Sequence, residues 1–90
     1  MKWLTQFEEV QMSTVDLKFV LRGIAEALEI DEDAVTVDSV SGDLEEWDSL
    51  GHISIMSFLD KSFGEITERV PDFASATSVR EIISLLEQNT

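Results

Sequence analysis

The stretch "WDSLGHISIMSFLDKSFG", residues 47–64, decides the class of fold. Ile53, Met56, Leu59 and Phe63 recur at spacings of three and four, and Ile66 continues the row. That is the period of one face of an α-helix. Asp48 and Ser49 stand at its head, and both residue types favour a helix start, where a side-chain oxygen takes a free backbone N–H. Gly64 stands at its end. Toward the N-terminus, "TVDLKFVLRGIAEALEI" (14–30) places Leu17, Leu21, Ile24 and Leu28 on one face, with Ser13 and Asp16 spaced as a capping box. Toward the C-terminus, Pro71 breaks the pattern, and "PDFAS" (71–75) suits a short helical turn begun by proline. In "TSVREIISLLEQ" (77–88), Val79, Ile82, Ile83 and Leu86 form a third face behind a Ser78–Glu81 capping box. No segment alternates over enough residues for a sheet, and only "AVTV" (34–37) is weakly strand-like. The expected fold is all-α: a small four-helix bundle with three main helices and one short one.

Between the first two main helices lies a long connection, residues 31–47, without regular periodicity. Val35, Val37, Val40, Leu44 and Trp47 are spaced along it as anchors onto the bundle. A loop of this length in a compact domain is usually functional or disordered, and regular apolar anchors favour function. Ninety residues suffice for one core. The domain is expected over 13–90, with residues 1–12 as an extension. In that extension Trp3, Leu4, Phe7 and Val10 form a short amphipathic segment, unless the chain starts internally at Met12.

Nineteen acidic residues against six Lys and Arg give a formal charge of −13. Phosphate binding needs a basic footprint, so nucleic acid is not expected as a partner. No Lys or Arg occurs between Arg22 and Lys61, while residues 26–48 carry ten acids. Such a run is ordinarily a solvated face; it also makes a field that steers basic partners. There is no cysteine, hence no disulfide and no cysteine nucleophile or metal thiolate. No apolar run reaches membrane length, and Glu8 and Glu9 interrupt what would be the core of a signal peptide. A soluble, cytoplasmic monomer is the expectation, with no membrane partner.

Catalytic residues are scarce. His52 is the only histidine and follows Ser49 by three residues, but helical neighbours at that spacing rarely aim a base at a nucleophile. No catalytic role is expected, and His52 reads as a partly exposed residue or a packing neighbour of Trp47. The acids at 31–33 fail as a calcium loop: the fifth, sixth and twelfth positions from Asp31 are Val35, Thr36 and Gly42. No metal site is expected. Around Ser49 the picture is more specific. Gly51 lowers helix propensity by about 1 kcal/mol in the first turn, so something there needs bare backbone. Leu50 lies about 40° from Ser54 and on the polar side, away from Met56 and Phe63. An apolar residue set outward beside a serine at a helix N-terminus suits a docking surface, and that terminus favours a phosphate on Ser49.

With these residues assembled, "WDSLGHISIMSFLDKSFG" resembles the modification site of acyl carrier proteins, in which Asp-Ser-Leu opens a helix. "VTVDSVSGDLEEWDSL" resembles the family's valine-anchored loop and "ATSVREIISLLEQ" its closing helix, so the resemblance covers about residues 14–88. It implies a carrier rather than an enzyme. A phosphopantetheinyl transferase with its magnesium would attach 4′-phosphopantetheine from coenzyme A to Ser49, with Asp48 recognised by the transferase. The thiol of the arm would hold an acyl or aminoacyl group as a thioester, delivered by a loading ligase and used by downstream acyl-processing enzymes. Leu50, Trp47, His52 and Ser54 are then expected to face partners. Two features depart from carriers of bulk fatty acid synthesis. The outward positions of the helix, read as Gly51, Ser54, Ser57 and Lys61, lack the usual acids, and the acids precede Ser49 instead. The resemblance therefore implies a specialised pathway; Glu46-Trp47-Asp48 fits peptidyl carriers less well. The alternatives are a peptidyl carrier or an unmodified acidic helical adaptor. Interiors in this family enlarge by small shifts, so composition does not reveal the cargo.

Overall fold

The computed structural model describes residues 15–89; the extension at 1–12 and Ser13 lie outside them. The first helix, α1 (Leu17–Leu28), starts at Asp16, whose carboxylate accepts the Phe19 N–H at 3.3 Å. The cap is thus Asp16 rather than the expected Ser13. At the other end the chain turns through Glu29 in the left-handed region (φ 61°), and the Ile30 N–H reaches back to the Ala25 carbonyl at 3.0 Å. This Schellman-type closure satisfies carbonyls that the helix leaves open.

The buried side of α1 is Val20, Ile24 and Leu28 with Gly23 and Ala25. The expected face is correct at Ile24 and Leu28 only. Leu21 is half-buried, and Leu17, in the first turn, is 42% exposed. Leu17 lies beyond the core and lines a surface depression with Val15, Val37 and Ile83. Similarly, α2 (Ser49–Phe63) buries Gly51, Ile55 and Leu59, with Met56, Phe58 and Phe63 half-covered. Ile53, expected inside, is 63% exposed. The inward row is therefore 51–55–59, two residues out of register with Ile53.

Gly64 ends α2 in the left-handed region (φ 71°), its N–H bonded to the Asp60 carbonyl. Ile66 consequently belongs to a separate one-turn helix, α3 (Ile66–Arg69), where it is fully buried. Asp60 ties the two helices: the Thr67 N–H and hydroxyl donate to its carboxylate at 2.9 and 2.8 Å. Proline then opens a 3₁₀ segment, Pro71–Ser75, as its position at the first turn favours. The expected short helix at 71–75 is this 3₁₀ turn, and the short α-helix lies just before it. The last helix, α4 (Val79–Asn89), buries Val79, Ile82 and Leu86. Its capping box holds in part: Ser78 Oγ accepts the Glu81 N–H, but Glu81 reaches the Thr77 N–H instead of that of Ser78.

Among the described residues four α-helices, three long and one short, enclose a core to which the long connection adds Val35 and Trp47. That connection contains 3₁₀ turns at Glu32–Ala34 and Ser41–Asp43. Val37 and Leu44 are half-buried. Val40, expected as a side-chain anchor, is exposed and holds the loop through its backbone instead. It forms an isolated bridge with Ser78, flanked by Ser41 N–H to Thr77 carbonyl (2.8 Å) and Val79 N–H to Ser39 carbonyl (3.0 Å). Among the described residues no helix is long and apolar enough to cross a membrane.

All ten acids between 26 and 48 are exposed. Two of them meet cations, Glu32 with Arg22 at 3.2 Å and Asp38 with Arg80 at 2.6 Å, in solvent-exposed pairs that stabilise little. Self-repulsion is therefore expected to weaken the fold where screening is long-ranged. Raising salt from 0.01 to 0.1 M shortens the Debye length from about 30 to 10 Å. Relief of about 1 kcal/mol would lift Tm by roughly 4–8 °C for a domain of this size. A thermal melt unchanged by salt would mean that the acids are already compensated.

Candidate functional site

The end of the long connection and the first turn of α2 build one compact arrangement. Asp48 is extended and its carboxylate accepts the Gly51 N–H at 2.8 Å, while its carbonyl accepts the His52 N–H at 2.8 Å. These bonds start α2 at Ser49. Gly51 faces inward, which corrects the expectation that it lies on the outer side. A Cβ there would sit 2.1 Å from the Glu46 carbonyl oxygen and 2.8 Å from Leu28. Bare backbone is required because the loop passes against the helix at this point.

Ser49 is exposed, and Leu50 beside it is 74% exposed, as its angular position implied. Ser54 is exposed one turn on. Trp47 is only 4% exposed and belongs to the core, so it has almost no surface to offer a partner. The reason is a local bond: the indole Nε1–H donates to His52 Nδ1 at 3.0 Å, and the two rings lie near-parallel. An indole nitrogen only donates. Nδ1 is therefore the acceptor, the ring proton lies on Nε2, and that N–H donates to the Phe73 carbonyl at 3.0 Å. His52 is half-buried and both its nitrogens are engaged, so it packs against Trp47 rather than facing outward, and neither nitrogen serves Ser49 as a base.

A depression of about 480 Å³ opens beside Ser49, bounded by Asp48, His52, Ile53, Ser41 and the run Ala74–Thr77. Ser41, Ile53, Phe73 and Thr77 were not legible as site residues. Phe73 contributes a backbone carbonyl, which carries no side-chain signal, and Ser41 and Thr77 meet only through the bridge at Val40. The more enclosed depression near Leu17 contains none of the residues around Ser49.

The exposed face of α2 carries Leu50, Ile53, Ser54, Ser57 and Lys61, with no acid among its exposed positions. Asp60 is half-buried and its carboxylate is occupied by Thr67. In the loop that leads into Ser49, Asp43, Glu45 and Glu46 are all exposed. The arrangement thus presents one accessible hydroxyl at a helix N-terminus, flanked by an apolar surface and a negative approach. Compared with known proteins, the chain matches no family model, no curated protein and no solved structure.

Proposed function

We propose that this chain is a carrier of the phosphopantetheine type, bearing an acyl or aminoacyl group as a thioester on an arm attached to Ser49. The observation that supports it best is the setting of Ser49: an exposed hydroxyl, first in α2, with an exposed leucine next to it and the chain's one histidine engaged by Trp47 and Phe73. A catalytic serine needs a partner to remove its proton. A serine modified by another enzyme needs accessibility and a recognisable surround. The residues also fit the group. A phosphate ester on Ser49 would lie at the positive end of α2, where free N–H groups favour an anion, and the depression of about 480 Å³ offers room for an arm.

In the attachment reaction Ser49 Oγ would form a bond to the phosphorus that carries the pantetheine. The pyrophosphate bond of coenzyme A breaks, adenosine bisphosphate leaves, and the hydroxyl proton goes to a base of the transferase. Asp48, fixed by its own bond to Gly51, keeps the first turn closed and Ser49 outward. The arm, when bound, supplies the thiol that this cysteine-free chain lacks. The acid-free outer face of α2 supports service in a specialised pathway, with a ligase or acyltransferase that reads Leu50 and the loop acids.

Incubation with coenzyme A, magnesium and a promiscuous transferase should add one phosphopantetheinyl group by intact mass, and none to Ser49→Ala. Failure of the wild-type chain to gain it would leave an acidic helical adaptor as the better reading. Leu50→Glu is expected to slow the modification while changing stability by no more than about 0.5 kcal/mol, as for an exposed position. A collapse of the urea midpoint in that variant would mean that Leu50 supports the fold.

A further inference from the structure

We infer, resting on the carrier reading, that the cargo rides outside the bundle along α2 and is a short acyl group with a polar end, amino- or hydroxyacyl in class. The way from Ser49 into the core would part the first turn of α2 from the Pro71–Ser75 segment. That seam is clamped. Trp47 Nε1–H is held by His52 Nδ1 at 3.0 Å, and His52 Nε2–H by the Phe73 carbonyl at 3.0 Å. Behind the clamp stand Phe73, Ile55, Leu59 and Ile66, all fully buried. Parting the seam would strip the His52 Nε2–H and the Phe73 carbonyl of each other in a part-buried setting, which is unfavourable unless new partners arrive. An alkyl chain brings none.

The outward route is open. Ile53 borders the depression beside Ser49 and also a second one of about 550 Å³ farther along α2, lined by Met56, Ser57, Asp60, Lys61 and Glu65. Ile53 is 63% exposed and Met56 half-buried, so the near part is apolar. At the far part the Asp60 carboxylate is taken by Thr67. Lys61 and Glu65 are exposed, and neither side chain pairs with another among the described residues. A few carbons lie over Ile53 and Met56; beyond them a polar or charged end meets an ammonium and a carboxylate. A long alkyl chain would meet these same charges and gain nothing from them.

The test uses the full chain loaded from acetyl-, alanyl-, glycolyl- and octanoyl-coenzyme A by a promiscuous transferase, with methyl NMR and thioester cleavage by hydroxylamine as readouts. Alanyl and glycolyl cargo should shift the methyl signals of Ile53 and Met56 and leave those of Ile55, Leu59 and Ile66 in place. Octanoyl cargo should also leave the core signals in place and be cleaved at the same rate as acetyl. Octanoyl cargo that shifts the core methyls, or that is protected from hydroxylamine, overturns the inference while the carrier reading stands. No change at Ile53 and Met56 with alanyl and glycolyl cargo also overturns it. A chain that takes up no phosphopantetheine removes both.

Discussion

Trp47→Ala is expected to lower the unfolding free energy by about 3–5 kcal/mol, the range for truncating a large buried aromatic. A domain of this size has only about 5–13 kcal/mol in total, so the substitution removes a large share of it and lowers the melting temperature markedly. The size follows from position. Trp47 is 4% exposed, packs in the same core as Val35, Ile55 and Phe73, and closes the long connection onto α2. Its indole also occupies His52 Nδ1. Trp47→Phe keeps most of the buried aromatic surface but loses the N–H and leaves His52 Nδ1 without its donor, and the loss should fall to about 1–3 kcal/mol, the cost of an unsatisfied part-buried acceptor. Urea midpoints of the two variants measure the difference. Equal losses would mean that the bond to His52, not the buried surface, dominates.

Gly51→Ala should also destabilise, against the usual trend for a helical glycine. Alanine improves helix propensity by about 1 kcal/mol, yet its methyl would stand 2.1 Å from the Glu46 carbonyl oxygen. That atom is backbone, fixed by the turn into Trp47, so either the loop or the start of α2 must move. Overpacking against a backbone atom falls in the upper part of the usual range of about 1–3 kcal/mol, and a net loss of up to about 2 kcal/mol is expected after the propensity gain. Gly23 provides the contrast. Its methyl would meet the Phe58 ring, at 1.9 Å from the ring's far atom, but Phe58 is half-buried and can swing aside. Gly23→Ala should therefore be the milder of the two by denaturant midpoint. If Gly51→Ala proves neutral, the loop does not pass against the helix as closely as described.

These two residues also show how far the sequence reaches. Helix existence was legible because the rows at 17–28, 53–63 and 79–86 repeat at the helical period over several turns. The phase was less so. Leu17 and Ile53 are in period with their neighbours, but periodicity does not reveal how much of a face the rest of the bundle covers. Leu17 lies beyond that cover in the first turn, and Ile53 lies two residues away from the inward row 51–55–59. The outward Leu50 was legible because its angle separates it from Met56 and Phe63. Gly51 announced a constraint without its cause, since the Glu46 carbonyl is backbone. Trp47 was legible as an anchor of the loop, and its burial agrees; only the role implied by the resemblance set it facing a partner. His52 was legible as a packing neighbour of Trp47, whereas its bond to the Phe73 carbonyl arises only when the helix and the 3₁₀ segment are packed. The pairing of Asp60 was hidden for a related reason: its partner Thr67 lies across a helix break that folds back.

The central claim is that Ser49 is an attachment point, and peptide mapping of the modified chain tests it most directly. Trypsin finds no Lys or Arg between Arg22 and Lys61, so one fragment, Gly23–Lys61, contains Ser39, Ser41, Ser49, Ser54 and Ser57 together. Fragmentation of that peptide after transferase treatment should place a single phosphopantetheinyl group on Ser49, with the other serines unmodified. A group placed on any other serine, or one that persists in Ser49→Ala, would contradict the account.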